Sequence, residues 1–292
     1  MNARGERVII GTMRPFHLSL LLFALTATAA SALWAADEAS LPAKLHPWGQ
    51  FQPGARSMVR VTTETYNDQD QVVGTSVSDT TTTLVGVDKD GVTLEIDSCV
   101  EVVGKRFDGR PQTIKQGFHG ELLSKDTKLS APSDSQVVVD RQKIPCKVQQ
   151  VECHGANGKT VTRIYYSTTV APYVFKRESV STDPDGKVSG ESSMEVTSLE
   201  MPWNVLGELM SVFNVKTVRR CPKGTVTALE IICPEVPGGV VSRSSREVDA
   251  SGRLVHRSVL ELMEYSTRGQ RHSLFPRKSR PRRQKAASRY EQ

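Results

Sequence analysis

Between Arg163 and Met201 the chain spells out one long hairpin, and the rest of the sequence must fold around it. Arg163 to Ser167 is a β-prone run, Pro172 and Tyr173 corner the chain, and Val174 to Val180 forms a second run. Asp183-Pro184-Asp185-Gly186 then supplies a turn, Pro presetting φ and Gly accepting φ > 0. On the return, Val188, Met194 and Val196 share one parity, while Glu191, Ser193, Glu195 and Thr197 share the other. Alternation with period two predicts a strand with one buried and one wet face.

The same grammar recurs on either side. Val59 to Tyr66 runs into Asn67-Asp68-Gln69-Asp70 and leaves along Val72 to Val87. Ser244 to Val248 runs into Asp249-Ala250-Ser251-Gly252 and leaves along Leu254 to Tyr265. A Pro-Gly pair precedes each of these two copies, at Pro53-Gly54 and Pro237-Gly238. Either the hairpins are an internal repeat or any two hairpins look alike in sequence; both readings predict the same fold class.

Further strands are expected at Gly91 to Ile96, at Gln112 to Phe118, and as a pair at Val137 to Val139 and Ile144 to Val148. Pro145 inside the last of these suits an edge or a bulge. Asn157-Gly158 turns Gln149–Cys153 back into Val161–Tyr166. Trp48 and Phe51 are expected to anchor a polar N-terminal segment onto the body. One helix is predicted over Pro202 to Phe213, where Val205, Leu206, Leu209, Met210 and Phe213 recur at helical spacing after a proline suited to a first turn. It should lie across the sheet.

The formal charge of +6 is unevenly placed. From Arg268 onward nine Arg and Lys face one Glu, and the N-terminal segment is also positive, so the body between them carries about −4. Arg268 to Gln292 has no apolar periodicity and reads as a disordered tail, with two readings open, a tail that meets anionic surfaces or a solvated tail with no partner, and with no signature of specific nucleic-acid recognition. Arg14 followed by the apolar stretch Leu18 to Ala32, ending in Ala30-Ser31-Ala32, reads as an export signal, with an uncleaved membrane anchor as the competing reading and Met13 as an alternative start. The expected location is periplasmic or secreted. The domain plan is a signal over 1–32, an antiparallel β domain over 33–267 that could hold two repeated units meeting near 135, and the tail over 268–292. Five cysteines leave two readings open: a Cys221–Cys233 bridge, which is favoured, or five small buried thiols.

Catalytic signatures are missing. No G-x-S-x-G, H-E-x-x-H or C-x-x-C occurs, and Gly155-Ala156-Asn157-Gly158-Lys159-Thr160 has Cys153 where a phosphate loop needs its first glycine. Six dispersed histidines suggest no metal centre. The expectation is a protein that is not an enzyme and takes no cofactor; a hydrolase built on Cys153 is a remote third reading.

A strand ending Tyr165-Tyr166-Ser167, the corner Ala171-Pro172-Tyr173, a Lys176-Arg177-Glu178 strand, an Asp-Gly turn and a long return resemble the periplasmic lipoprotein-carrier superfamily, the LolA/LolB-like fold. The resemblance covers about forty residues. It implies a mainly β fold in which a curved antiparallel sheet, an unclosed half-barrel, is plugged by one or a few covering helices, and it implies a lipid, acyl chain or lipoprotein as partner. A single short helix would leave part of a concave apolar face open. Val188, Met194, Val196, Leu206 and Met210 are therefore the candidate ligand-binding residues. The competing expectation is a surface-acting β-sandwich scaffold, adhesin-like, with no small-molecule ligand.

Overall fold

The computed structural model describes residues 42–118, 120, 127–155, 158–267 and 270–273. The expected export signal and nearly all of the basic tail lie outside the described residues. After one 3-10 turn, Ala43–Leu45, the chain is a succession of strands. They are β1 (Arg56–Tyr66), β2 (Val72–Val87), β3 (Gly91–Val102), β4 (Lys105–Asp108), β5 (Gln112–Gly117), β6 (Thr127–Leu129), β7 (Ser133–Val139) and β8 (Gln142–Gly155). There follow β9 (Gly158–Tyr166), β10 (Val174–Thr182), β11 (Val188–Val205), β12 (Glu208–Cys221), β13 (Gly224–Ile232), β14 (Val240–Asp249), β15 (Leu254–Thr267) and β16 (Gln270–Ser273). All pair antiparallel in one sheet of order β4-β3-β2-β1-β15-β14-β13-β12-β11-β10-β9-β8-β6, with β5 on β3, β7 on β8 and β16 on β15.

That order forces the sheet to curl. Laid flat, its thirteen-strand path would be about 58 Å wide at ~4.8 Å per strand. Yet only nine residues separate Gly117, at the end of β5, from Thr127, at the start of β6, and that length of chain can span no more than about 35 Å. The two ends of the sheet must therefore approach. They meet through side chains rather than a hydrogen-bonded seam: Leu84, Val92, Leu94 and Phe118 from one end pack with Val151, Cys153, Ile164 and Tyr166 from the other. Leu45 and Trp48 wedge into the same cluster, with Phe51 against it, as the N-terminal anchors were expected to do.

Register separates an inner from an outer face. Gln149, Ile164, Arg177, Met194, Thr217, Ala228, Ser245, Ser258, Thr63 and Ser76 stand opposite one another on ten successive strands, so they share one face. That parity is inward, since Leu84, Val196, Ala228 and Leu262 on it are buried. Outward Leu229 and Val259 are 59% and 45% exposed.

Two hairpins overhang the sheet and supply its inner cover. The β7–β8 ribbon runs past the start of its pairing with β9, and Val137, Val139, Ile144 and Cys146 bury against Phe175, Val196, Phe213 and Val215. Pro145 stands on the edge not paired to β9, where its missing N–H costs nothing. The second overhang replaces the expected helix. Pro202 to Phe213 is the end of β11 and the start of β12, joined by Leu206-Gly207, both at positive φ (52° and 99°). Two residues with φ > 0 twist a hairpin in the sense of its strands. Asn204 Oδ1 accepts from Gly207 N–H at 2.7 Å and closes the turn. Burial follows the pleat, with Val205 and Val212 buried and Leu209 79% exposed. The helical spacing of the apolar residues is overridden by pairing along the whole of β11 and β12. Asp140 Oδ2 accepts from Leu199 N–H at 3.1 Å and joins the two ribbons.

The Cys221–Cys233 bridge is also corrected. Cys221 pairs with Gly224 at one end of the β12–β13 hairpin, while Cys233 follows Ile232 at the other, about 30 Å away at ~3.3 Å per residue. All five cysteines are free thiols, three of them buried.

The recurring hairpin grammar is one turn made three times. Asn67, Asp183 and Asp249 each accept at side-chain Oδ1 from the N–H groups two and four residues on, at distances of 2.8–3.1 Å. The residue three on sits at positive φ in each: Asp70 (56°), Gly186 (80°) and Gly252 (87°). An Asx side chain that satisfies two loop donors explains why acidic or amide residues open all three.

Candidate functional site

The five residues expected to line a cavity fall into three places. Val188 begins β11 at the rim and is 47% exposed. Met194 and Val196 belong to the core under the β7–β8 ribbon. Leu206 and Met210, at the tip of the β11–β12 ribbon, pack on Val205, Val212, Cys233, Val236, Val241, Leu262 and Tyr265. Strand parity brings Met194 and Val196 together, but the hairpin at 206–207 carries the other pair to a different core.

Between these cores the inner face is polar. Thr63 and Ser258, Thr160 and Ser181, and Thr162 and Ser179 are cross-strand hydroxyl pairs, each at 2.9 Å. Glu230, with a side chain 11% exposed, accepts there from Arg243 Nη2 at 3.2 Å and from the Thr217 hydroxyl at 3.3 Å. Hydroxyls and an ion pair offer an acyl chain no dry wall.

On the outer face an open cleft of about 610 Å³ lies between the β1–β2 and β14–β15 tips. Three arginines enter it, Arg246, Arg253 and Arg257, together with Tyr66, Asp68 and Asp70. Arg253 is already held: its Nε donates to Asp249 Oδ2 at 2.9 Å, and its Nη1 donates to Asp68 on the neighbouring tip. The Ser251 hydroxyl, then Arg253, hold the Asp249 carboxyl well below the usual carboxylate range. This tie fixes the cleft wall.

Arg257 is aimed by an aromatic. Its Cζ lies 5.4 Å from the Tyr66 ring centroid, and its Nη1 approaches the Tyr66 hydroxyl at 3.4 Å. Tyr66 in turn donates to Glu64 Oε2 at 2.6 Å, the bond that chiefly raises its pKa. Arg246 stands directly opposite Arg257 across the β14–β15 pair. Among the described residues its guanidinium has no ion-pair or hydrogen-bond partner. Like charges directly opposite on one face repel, at a cost of about 0.2–1 kcal/mol. Sequence reasoning missed this pair, and the cause is local. A bulge between Glu247 and Val248 shifts the register, placing Arg257 rather than His256 across from Arg246.

No group of His, Cys, Asp and Glu suited to holding a metal ion occurs among the described residues. No helix of the described residues is long and apolar enough to cross a membrane.

No protein-family model matches the chain, and no curated protein matches its sequence. Among solved structures it is similar to a candidate exported protein with a YmcC-like fold from Bacteroides fragilis, at 10% identity and a TM-score of 0.27, over 72% of this chain and 97% of that one. It is also similar to a candidate lipoprotein from Parabacteroides distasonis, at 14% identity and a TM-score of 0.27, over 75% of this chain and 97% of that one. Neither is described as a lipoprotein carrier, and at that TM-score neither likeness bears on the cleft.

Proposed function

We propose that this chain is an exported, non-enzymatic binding protein that acts through the outer surface of its curled sheet. The observation that carries the reading is the division of its two faces. The inner apolar residues are used up in three packed cores, and the inner surface between them is paved with paired hydroxyls. The outer face gathers cationic side chains in an open cleft. Export rests on the apolar Leu18 to Ala32 stretch behind Arg14.

The competing reading places an acyl chain or lipidated partner on the inner face, touching Val188, Met194, Val196, Leu206 and Met210. Titration of the full chain with a fluorescent fatty acid separates the two. Surface action predicts no saturable uptake and an identical trace for Met194→Glu. Saturable uptake that Met194→Glu abolishes would replace surface action with the carrier reading.

A further inference from the structure

We propose that Arg246 and Arg257 form a two-arginine clamp for a phosphate or sulfate group, an inference that rests on the surface-acting reading and names its ligand. Three observations converge. First, the two guanidinium groups stand on directly opposed residues of one outer face, an arrangement that is unfavourable while nothing lies between them. Second, Arg257 is oriented by the Tyr66 ring and hydroxyl, so less rotamer freedom is lost on binding. Third, Arg246 has no partner of its own among the described residues and borders an open cleft. Two planar, fork-shaped donors on directly opposed residues lining one cleft suit an oxyanion with several acceptor oxygens.

The carboxylates around the clamp sharpen the inference. Asp249 is held by Ser251 and Arg253, and Asp68 by Arg253; Glu64, directly opposite Arg257 on β1, accepts from the Tyr66 hydroxyl and forms no ion pair with Arg257 among the described residues. These engagements leave Arg246 and Arg257 as the cations facing the cleft. Asp70 also lines the cleft and has no ion pair among the described residues. It opposes anion entry and so makes a useful probe.

The test is calorimetric titration of the full chain with inorganic phosphate at constant ionic strength, repeated on Arg246→Gln, Arg257→Gln and Asp70→Asn. The clamp predicts saturable binding, weakened about tenfold or more by either arginine substitution and tightened severalfold by Asp70→Asn. Chemical denaturation without phosphate supplies the folding check. Both arginines are exposed, so Arg246→Gln should unfold at an unchanged or higher midpoint once the like-charge pair is gone. Sedimentation with phosphatidylglycerol or phosphatidylcholine vesicles identifies the source of the phosphate. Anionic-vesicle binding weakened by Arg246→Gln below the level that the basic tail sustains points to a lipid headgroup; phosphate binding with vesicle binding unaffected by the substitution points to a free or small-molecule phosphate. Phosphate binding unchanged in both arginine variants, or absent from the wild type, overturns the clamp and leaves surface action through other residues standing.

Discussion

Trp48 lies so close to Gly238 that a Cβ added to the glycine would fall 2.8 Å from the indole Cζ2. Gly238 also holds φ at +83°, and its N–H donates to Pro47 O at 3.2 Å. The N-terminal strap is thereby docked onto the loop between β13 and β14, while Leu45 and Trp48 fill the core where the sheet ends meet. Gly238→Ala should lower stability by about 1–3 kcal/mol, from strain at positive φ plus displacement of the indole. An unchanged urea midpoint would mean that the strap is not part of the cooperative fold.

His46, on the same strap, should make stability depend on pH. It is 4% exposed, and burial first, with Arg177 adding to it against a Gln116 hydrogen bond, lowers its pKa from 6.5 to about 4. The folded pKa lies below the unfolded one, so the unfolded chain binds the proton more tightly. The stabilisation is whole above about pH 6.5 and drains as pH falls toward 4. The full effect is about 3 kcal/mol. His46→Asn removes the titration, and the stability difference between wild type and variant should shrink across that window. A difference that stays constant from pH 7 to 4 would contradict a buried neutral histidine.

The strands were legible in the sequence wherever local chemistry settles the matter. Alternation marked β11, Asx and glycine marked the tips, and Pro145 announced an edge. The hairpin at Leu206-Gly207 was hidden because its apolar residues also fit a helical period, and only pairing with neighbouring strands decides between the two. The clamp was hidden more deeply: the β14–β15 turn suggests one register, and the bulge beside Val248 imposes another. The arrest of Cys221 and Cys233 at opposite ends of one hairpin likewise depends on pairing, which cysteine spacing does not encode.

If the three Asx turns are one device, they should respond alike. Asp183→Ala removes an acceptor of two backbone N–H groups at an exposed tip, a loss of about 1–2 kcal/mol. Asp183→Asn, with the same carbonyl acceptor that Asn67 already uses, should recover most of it. Equal midpoints for the Ala and Asn variants would remove the turn from the stability of the sheet.

Phe175 is 1% exposed and sits between the sheet and the β7–β8 ribbon. Phe175→Ala should cost about 3–5 kcal/mol and loosen the ribbon. Limited proteolysis should then cut first near Asp140-Arg141, the ribbon tip. First cleavage at the β1–β2 tip would contradict the ribbon's dependence on that side chain.

Outer-face against inner-face binding is most directly tested on one isotope-labelled sample of the full chain, titrated first with dodecanoate and then with phosphate. The account predicts that phosphate shifts the side-chain Nε–Hε resonances of Arg246 and Arg257 saturably, while dodecanoate leaves the Met194 methyl and the amides of Thr162 and Ser179 in place. Saturable dodecanoate shifts at Met194, Thr162 and Ser179, with the two arginines silent toward phosphate, would contradict it.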